Sequence, residues 1–168
     1  KIKAIQPLYE TYWLAGMRSK IGLSEKDPGD LELINDLLLM MEGGHADFTL
    51  VFRLLAQALR GDSNPVRHLF EEPDAFDVWA CRWRKRLKKD GVAAETVAQA
   101  MDLVNPIYIP RNHKVEETLT AAVDQENMTP FSELLAVLSH PFDEVAENEA
   151  YAEPGPVSEM PYRTFCGT

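Results

Sequence analysis

Cys166 stands third from the end, in Cys166-Gly167-Thr168. A thiol reacts to the extent that it carries thiolate. Arg163, three residues earlier, favours the anion, and a terminal carboxylate two residues on opposes it. On the residues alone, an incidental thiol and a redox-active one both stand open. Cys81, the other cysteine, lies between Trp79 and Trp83 in a helical stretch and reads as a small packing residue. Two thiols in 168 residues do not make a secreted disulfide framework, so a reducing, cytoplasmic compartment is expected.

A second group with chemical potential is Asn105-Pro-Ile-Tyr-Ile-Pro-Arg-Asn-His113. Its polar end, Arg111-Asn112-His113, follows a constrained proline and precedes a helix. Either Asn112 is a helix N-cap or the three side chains dock on a neighbouring domain. Trp79 and Trp83 interleave with the basic run Arg82, Arg84, Lys85, Arg86, Lys88 and Lys89. Such a pattern resembles a nucleic-acid stacking surface, but cations late in a helix also complement its dipole. A solvated or intramolecular docking face is the expectation, and Trp79 and Trp83 join Arg111, Asn112 and His113 as candidate docking residues.

Other chemistries find no support. Histidines 45, 68, 113 and 140 are scattered, no Cys-x-x-Cys or His-Glu-x-x-His occurs, and no metal ligands are assigned. No serine sits in a Gly-x-Ser-x-Gly elbow. Phosphoryl transfer needs a glycine-rich loop, a lysine on the phosphates and acidic metal ligands; Gly43-Gly44 is too short for the first. No catalytic residue is therefore expected within these 168 residues.

The elements that would position these residues are helices. Hydrophobic residues make up 45% of the chain and charged ones 26%, which suits a globular protein. A net charge of −10 disfavours nucleic acid and anionic membrane surfaces as partners. No apolar run reaches the ~18 residues of a membrane span. Apolar residues recur at a period near 3.6. They predict helices over about 7–21, 31–41, 48–59, 73–90, 93–103, 112–124 and 131–138. Gly22, Gly43-Gly44, Gly91 and Asn105-Pro106 act as stops, and Asp27 or Asp30 and then Asp47 as caps. The second helix is apolar on nearly every side and is placed at the centre of the core, while Val115, Leu119 and Ala122 point inward from the sixth. The fold class is all-α: an irregular bundle of about seven helices, domain 1–140, followed by an extended proline-rich tail, 141–168. The sequence opens in mid-pattern, with Ile5, Leu8 and Tyr12 already at helical spacing, so a piece of a longer chain is expected.

Several stretches, in order, carry a family resemblance. Met17-Arg-Ser-Lys-Ile-Gly-Leu23 resembles a Met-x-x-Lys-Leu-Gly-Leu segment of the selenoprotein O (YdiU-type) family. Asp36-Leu-Leu-Leu-Met40, Asp47-Phe-Thr-Leu-Val-Phe-Arg-Leu54, Asn105 to His113, Met128-Thr-Pro-Phe131, Pro141-Phe-Asp-Glu144 and Cys166-Gly-Thr168 are similar to its following segments. The resemblance implies the C-terminal region of a bacterial, cytoplasmic, pseudokinase-fold protein adenylyltransferase. Such an enzyme moves AMP from ATP, with Mg²⁺ or Mn²⁺, onto Ser, Thr or Tyr of protein substrates. The family's nucleotide and metal ligands belong to upstream motifs without a counterpart here, so none is carried over and no cofactor is expected on this piece. Only Cys166 maps onto a functional position, the cysteine or selenocysteine tied to redox control. The implied partner is the upstream kinase-like region of the same protein. A free-standing helical interaction module, built on Trp79, Trp83 and the basic run, is the alternative.

Overall fold

The computed structural model describes residues 5–156, and all regular structure among them is helical. The helices are α1 (Ile5–Lys20), α2 (Asp30–Gly43), α3 (Phe48–Leu59), α4 (Asn64–Arg67), α5 (Pro73–Lys89), α6 (Ala94–Asp102), α7 (Asn112–Asp124), α8 (Thr129–Leu138) and α9 (Glu149–Ala152), with a 3₁₀ turn at Ala146–Asn148. The expected all-α class holds. The longer helices match the segments read from periodicity, whereas the four-residue α4 and α9 are too short to show a period.

Contacts divide the chain into two units, one holding the residues up to Ile107 plus Pro141–Glu144, the other Tyr108–His140 and the residues from Val145. The division thus differs from the expected one of 1–140 and a tail. Arg53 supplies a physical reason for the return of 141–144. Its guanidinium donates to the carbonyls of Asp102 (3.0 Å), Asn105 (3.3 Å) and Phe142 (3.3 Å) and pairs with Glu144 at 3.3 Å. Ile107 N–H also donates to the Pro141 carbonyl at 2.8 Å. Past that point the chain is not uniformly extended, because Ala146–Ala152 coils into the 3₁₀ turn and α9.

The first unit is built around a stripe of α3 and one face each of α2 and α5. Asp47 caps α3 as expected, accepting Leu50 N–H at 2.8 Å, and Val51, Phe52, Leu55, Ala56 and Ala58 are buried behind it. The second helix departs from expectation. Leu33, Ile34, Leu37 and Met41 of α2 are buried, while Leu31 and Leu39 are exposed, so only one face of this apolar helix is covered. An aromatic row, Phe70, Phe76, Trp79 and Trp83, runs with centroid spacings of 4.9, 5.9 and 5.4 Å. Both indoles also satisfy backbone: Trp79 Nε1 donates to Leu33 O and Trp83 Nε1 to Ile21 O, each at 2.8 Å.

The end of α1 is fixed by several devices at once. Gly22 has φ +76°, Leu23 N–H reaches Arg18 O at 2.9 Å and Gly22 N–H reaches Ser19 O at 3.2 Å, the paired bonds of a Schellman stop. Asn105 Nδ2 donates to Lys20 O at 2.8 Å, so two carbonyls that a helix end leaves open, at Lys20 and Ile21, receive side-chain donors.

In the second unit α7 packs on α8, and the buried residues of the pair are Thr118, Ala121, Leu134 and Val137. Leu119, expected inward, is exposed; the small Thr118 and Ala121 take the contact face, where α8 approaches. Tyr108 Oη donates to Val145 O and accepts from Val145 N–H, both at 3.1 Å, tying the two segments of this unit together.

Gly22→Ala tests the α1 stop. A Cβ there would lie 2.4 Å from Val97 Cγ1 on a backbone that L-residues avoid. The variant is expected to lose at least about 2 kcal/mol of unfolding free energy, read by urea denaturation, whereas Gly61→Ala, with φ +110° but open space around it, loses less.

Candidate functional site

Two places gather the polar residues singled out by sequence: the basic run of α5 in the first unit and the Arg111–His113 stretch in the second. The run's charge is turned to the protein's own groups. Arg82 pairs with Asp36 at 2.7 Å, Arg84 donates to Ser63 Oγ at 2.6 Å and Lys89 pairs with Asp27 at 2.7 Å.

Arg86 goes further inward. It is buried, bonds Asp30 at 2.8 Å, donates to the Glu25 carbonyl at 2.8 Å and pairs closely with Asp90. Asp30 has no exposed surface and receives Arg18 Nε at 2.7 Å and Asp27 N–H at 2.9 Å as well. It is therefore not the expected N-cap of α2, a position held by Gly29. Asp90 accepts Ser24 N–H and Glu25 N–H at 3.0 and 3.2 Å. This arrangement braces α1, α2, α5 and the 22–30 connection.

Burial disfavours the charge on Asp30 and Asp90, but the guanidinium and backbone donors outweigh it and hold both carboxyls below the ordinary carboxylate range. For Arg86 burial likewise acts against its charge, and the bonds from Asp90 and Asp30 overcome it, raising its pKa. Lys20 differs: burial lowers its pKa, and its ammonium stands 5.4 Å from the Phe52 ring and 3.3 Å from Asn105 Oδ1.

Trp79 and Trp83 were expected as docking residues. They are 2% and 0% exposed, so they are core and present no surface to a partner. Their i, i+4 spacing with apolar neighbours carried that signal, since it lies on the stripe that packs under α2. Cys81, between them, is exposed on the other side of α5, where the sequence had suggested packing. Cys166 and Arg163 lie outside the described residues.

Arg111 is the N-cap residue of α7, and Asn112 is the first helical residue instead of the cap. The Arg111 guanidinium is buried and donates to Ala152 O at 2.9 Å, fastening α9 within the second unit. Asn112 is exposed and His113 half-buried. These residues, with Ile109, Pro110, Gly155 and Pro156, line a cleft of about 450 Å³. A Cβ at Gly155 would come within 2.8 Å of His113 Nδ1, so glycine is what lets the chain pass the imidazole. The structure thus brings the Arg111–His113 stretch against the root of the C-terminal segment. Sequence reasoning had singled out each without linking them.

Neither place is equipped for nucleotide chemistry. Arg82 and Arg86 of the basic run are occupied by carboxylates, and the cleft at Arg111–His113 has no carboxylate in its lining to hold a divalent ion. Among the described residues no three His, Cys, Asp or Glu side chains converge as a metal-binding set. These residues do not fit an ATP–metal site. Nor, among the described residues, is any helix long and apolar enough to cross a membrane.

The family model described as protein adenylyltransferase SelO matches residues 1–139. The chain belongs to the SelO family. Its relatives include proteins named protein nucleotidyltransferase YdiU: 47% identical over 162 residues in Rhodopseudomonas palustris (strain HaA2), 42% over 156 in Agrobacterium fabrum and 39% over 167 in Maridesulfovibrio salexigens. These alignments cover 95%, 93% and 99% of this chain but 33%, 32% and 34% of the relatives. The chain therefore spans about a third of the length of the curated family members it matches.

The Asp30–Arg86–Asp90 brace sets a pH dependence. A carboxyl depressed by folding contributes stability above its unfolded pKa, about 3.9, and loses it as pH falls through the folded value. Thermal melts of the first unit are expected to be flat for this contribution from pH 7 to about 4.5 and to fall below about 4, while the arginines stay charged throughout. Asp30→Asn, which takes the carboxylate from half-buried Arg18 and leaves buried Arg86 with Asp90 alone, is expected to cost about 3 kcal/mol at pH 7 and to flatten the acid limb.

Proposed function

We propose that this chain is the helical C-terminal third of a bacterial, cytoplasmic protein nucleotidyltransferase that moves AMP from ATP to hydroxyl groups of proteins. Within it, these residues buttress the catalytic portion and carry a redox-responsive thiol at Cys166. One observation carries the reading: a chain matched to the family over 1–139 spans about a third of the length of its nucleotidyltransferase-named relatives. ATP and a divalent ion such as Mg²⁺ or Mn²⁺ would then belong to the other two thirds, a pseudokinase-like region ahead of residue 1.

Supporting features are mechanical. The brace around Asp30, the stop at Gly22 and the Arg53 anchor tie distant segments of the first unit together, which suits a buttress. The Asn112 and His113 side chains, at the cleft beside Gly155, remain the proposed docking residues on the second unit. The alternative, a free-standing interaction module built on Trp79, Trp83 and the basic run, loses the two indoles, which are interior, and keeps only the exposed cations of α5.

The test compares AMP transfer to a generic protein acceptor, followed by intact mass, for the separately expressed upstream region with and without this chain. Transfer is expected to rise when the chain is added. An upstream region that is soluble, folded and equally active alone would overturn the buttress role. In the family-length protein, Cys166→Ser is expected to leave transfer unchanged under reducing conditions and to abolish its response to oxidant; an unaltered oxidant response rules out the redox role.

A further inference from the structure

The first two turns of α1 are exposed on every side, from Ile5 to Tyr12. Helices this short draw their stability mainly from an apolar face packed on something else. The core-facing side of α1 begins only at Trp13 and Leu14 and becomes fully buried at Met17 and Ile21. Ahead of it lies a second apolar stripe. At about 100° per residue, Ile5, Leu8, Tyr9, Tyr12 and Gly16 fall within roughly a 100° arc, well away from Met17 and Ile21. Their side chains are 62%, 57%, 65% and 73% exposed for Ile5, Leu8, Tyr9 and Tyr12. A Cβ on Gly16 would meet nothing within 4 Å among the described residues, so the stripe continues as open space that another backbone could approach.

Helical spacing, two tyrosines and a glycine form the signature of a contact face rather than of scattered surface apolar residues. Resting on the function proposed above, we infer that this stripe is the seat of a segment from the remaining two thirds of the family-length polypeptide. Length supplies the occupant: the matched relatives carry about twice as much chain again as the part aligned here. In the proposed arrangement that chain runs directly into α1, and a covalently joined neighbour meets the stripe at high effective concentration. A second copy is the less suitable occupant, because each copy brings a net charge of −10.

The test uses hydrogen exchange on the 168-residue chain and on a family-length polypeptide that carries it. Amides of 5–16 are expected to exchange at least about tenfold more slowly in the longer protein. Leu8→Gln with Tyr12→Gln, which keeps good helix propensity, should erase that protection while leaving the melting temperature of the 168-residue chain unchanged. Equal exchange in both proteins, or protection that survives the double substitution, overturns the inference. Protection that grows with concentration in the shorter chain assigns the stripe to a second copy and overturns it as well. If the longer protein needs this third for AMP transfer while the stripe stays unprotected, the docking surface fails and the buttress reading stands; if transfer does not need this third, that reading fails on its own account.

Discussion

A single carboxylate withdrawn from water organises the first unit. Asp30 has no exposure, and an isolated buried charge would be prohibitively costly. Its two oxygens are met by Arg86 from α5, by Arg18 from α1 and by the Asp27 N–H at the entrance of α2. Because breaking such a set leaves uncompensated charge in the interior, the three helices can settle only where all donors reach. The 22–30 connection is then drawn in by Asp90 and by the Arg86 bond to the Glu25 carbonyl. The aromatic row packs against the result, and each buried indole N–H finds a backbone carbonyl, Leu33 O and Ile21 O.

Much of this was legible in the residues, and the exceptions share a cause. Gly22 and Asp47 were readable because a helix stop and a cap are decided within a few residues of sequence. The recurrence of apolar positions at a period near 3.6 marked the long helices for the same reason. Asp30 was misread because a cap and a buried ion-pair anchor look alike until Arg86, 56 residues later, arrives beside it. The docking residues Trp79 and Trp83 went the same way: interleaving with cations suggested a surface, but both indoles are interior, Trp79 on Leu33 of α2 and Trp83 on Ile21 at the end of α1. Burial of only one side of α2, and of Thr118 in place of Leu119, follows from which neighbour arrives, and periodicity is silent on that.

The chain path adds a further constraint. After Ile107 the backbone leaves the first unit, forms α7 and α8, and comes back at Pro141–Glu144 before leaving again. Arg53 makes that return specific, collecting carbonyls from both visits on one guanidinium whose planar fork suits several acceptors at once. Asn105, read from sequence as a helix stop with Pro106, also closes the end of α1 through Lys20. Arg53 and Asn105 are thus both spent on architecture.

The three tryptophans, Trp13, Trp79 and Trp83, all lie before Ile107. Intrinsic fluorescence therefore views one unit and is blind to the other. The Trp79–Trp83 pair is stacked, with rings inclined by 18°, an arrangement close enough for the two indole transitions to couple. Its near-ultraviolet dichroism would act as an optical gauge of whether the first unit is packed, leaving the second unit to be followed by Tyr108, Tyr151 and its backbone signals.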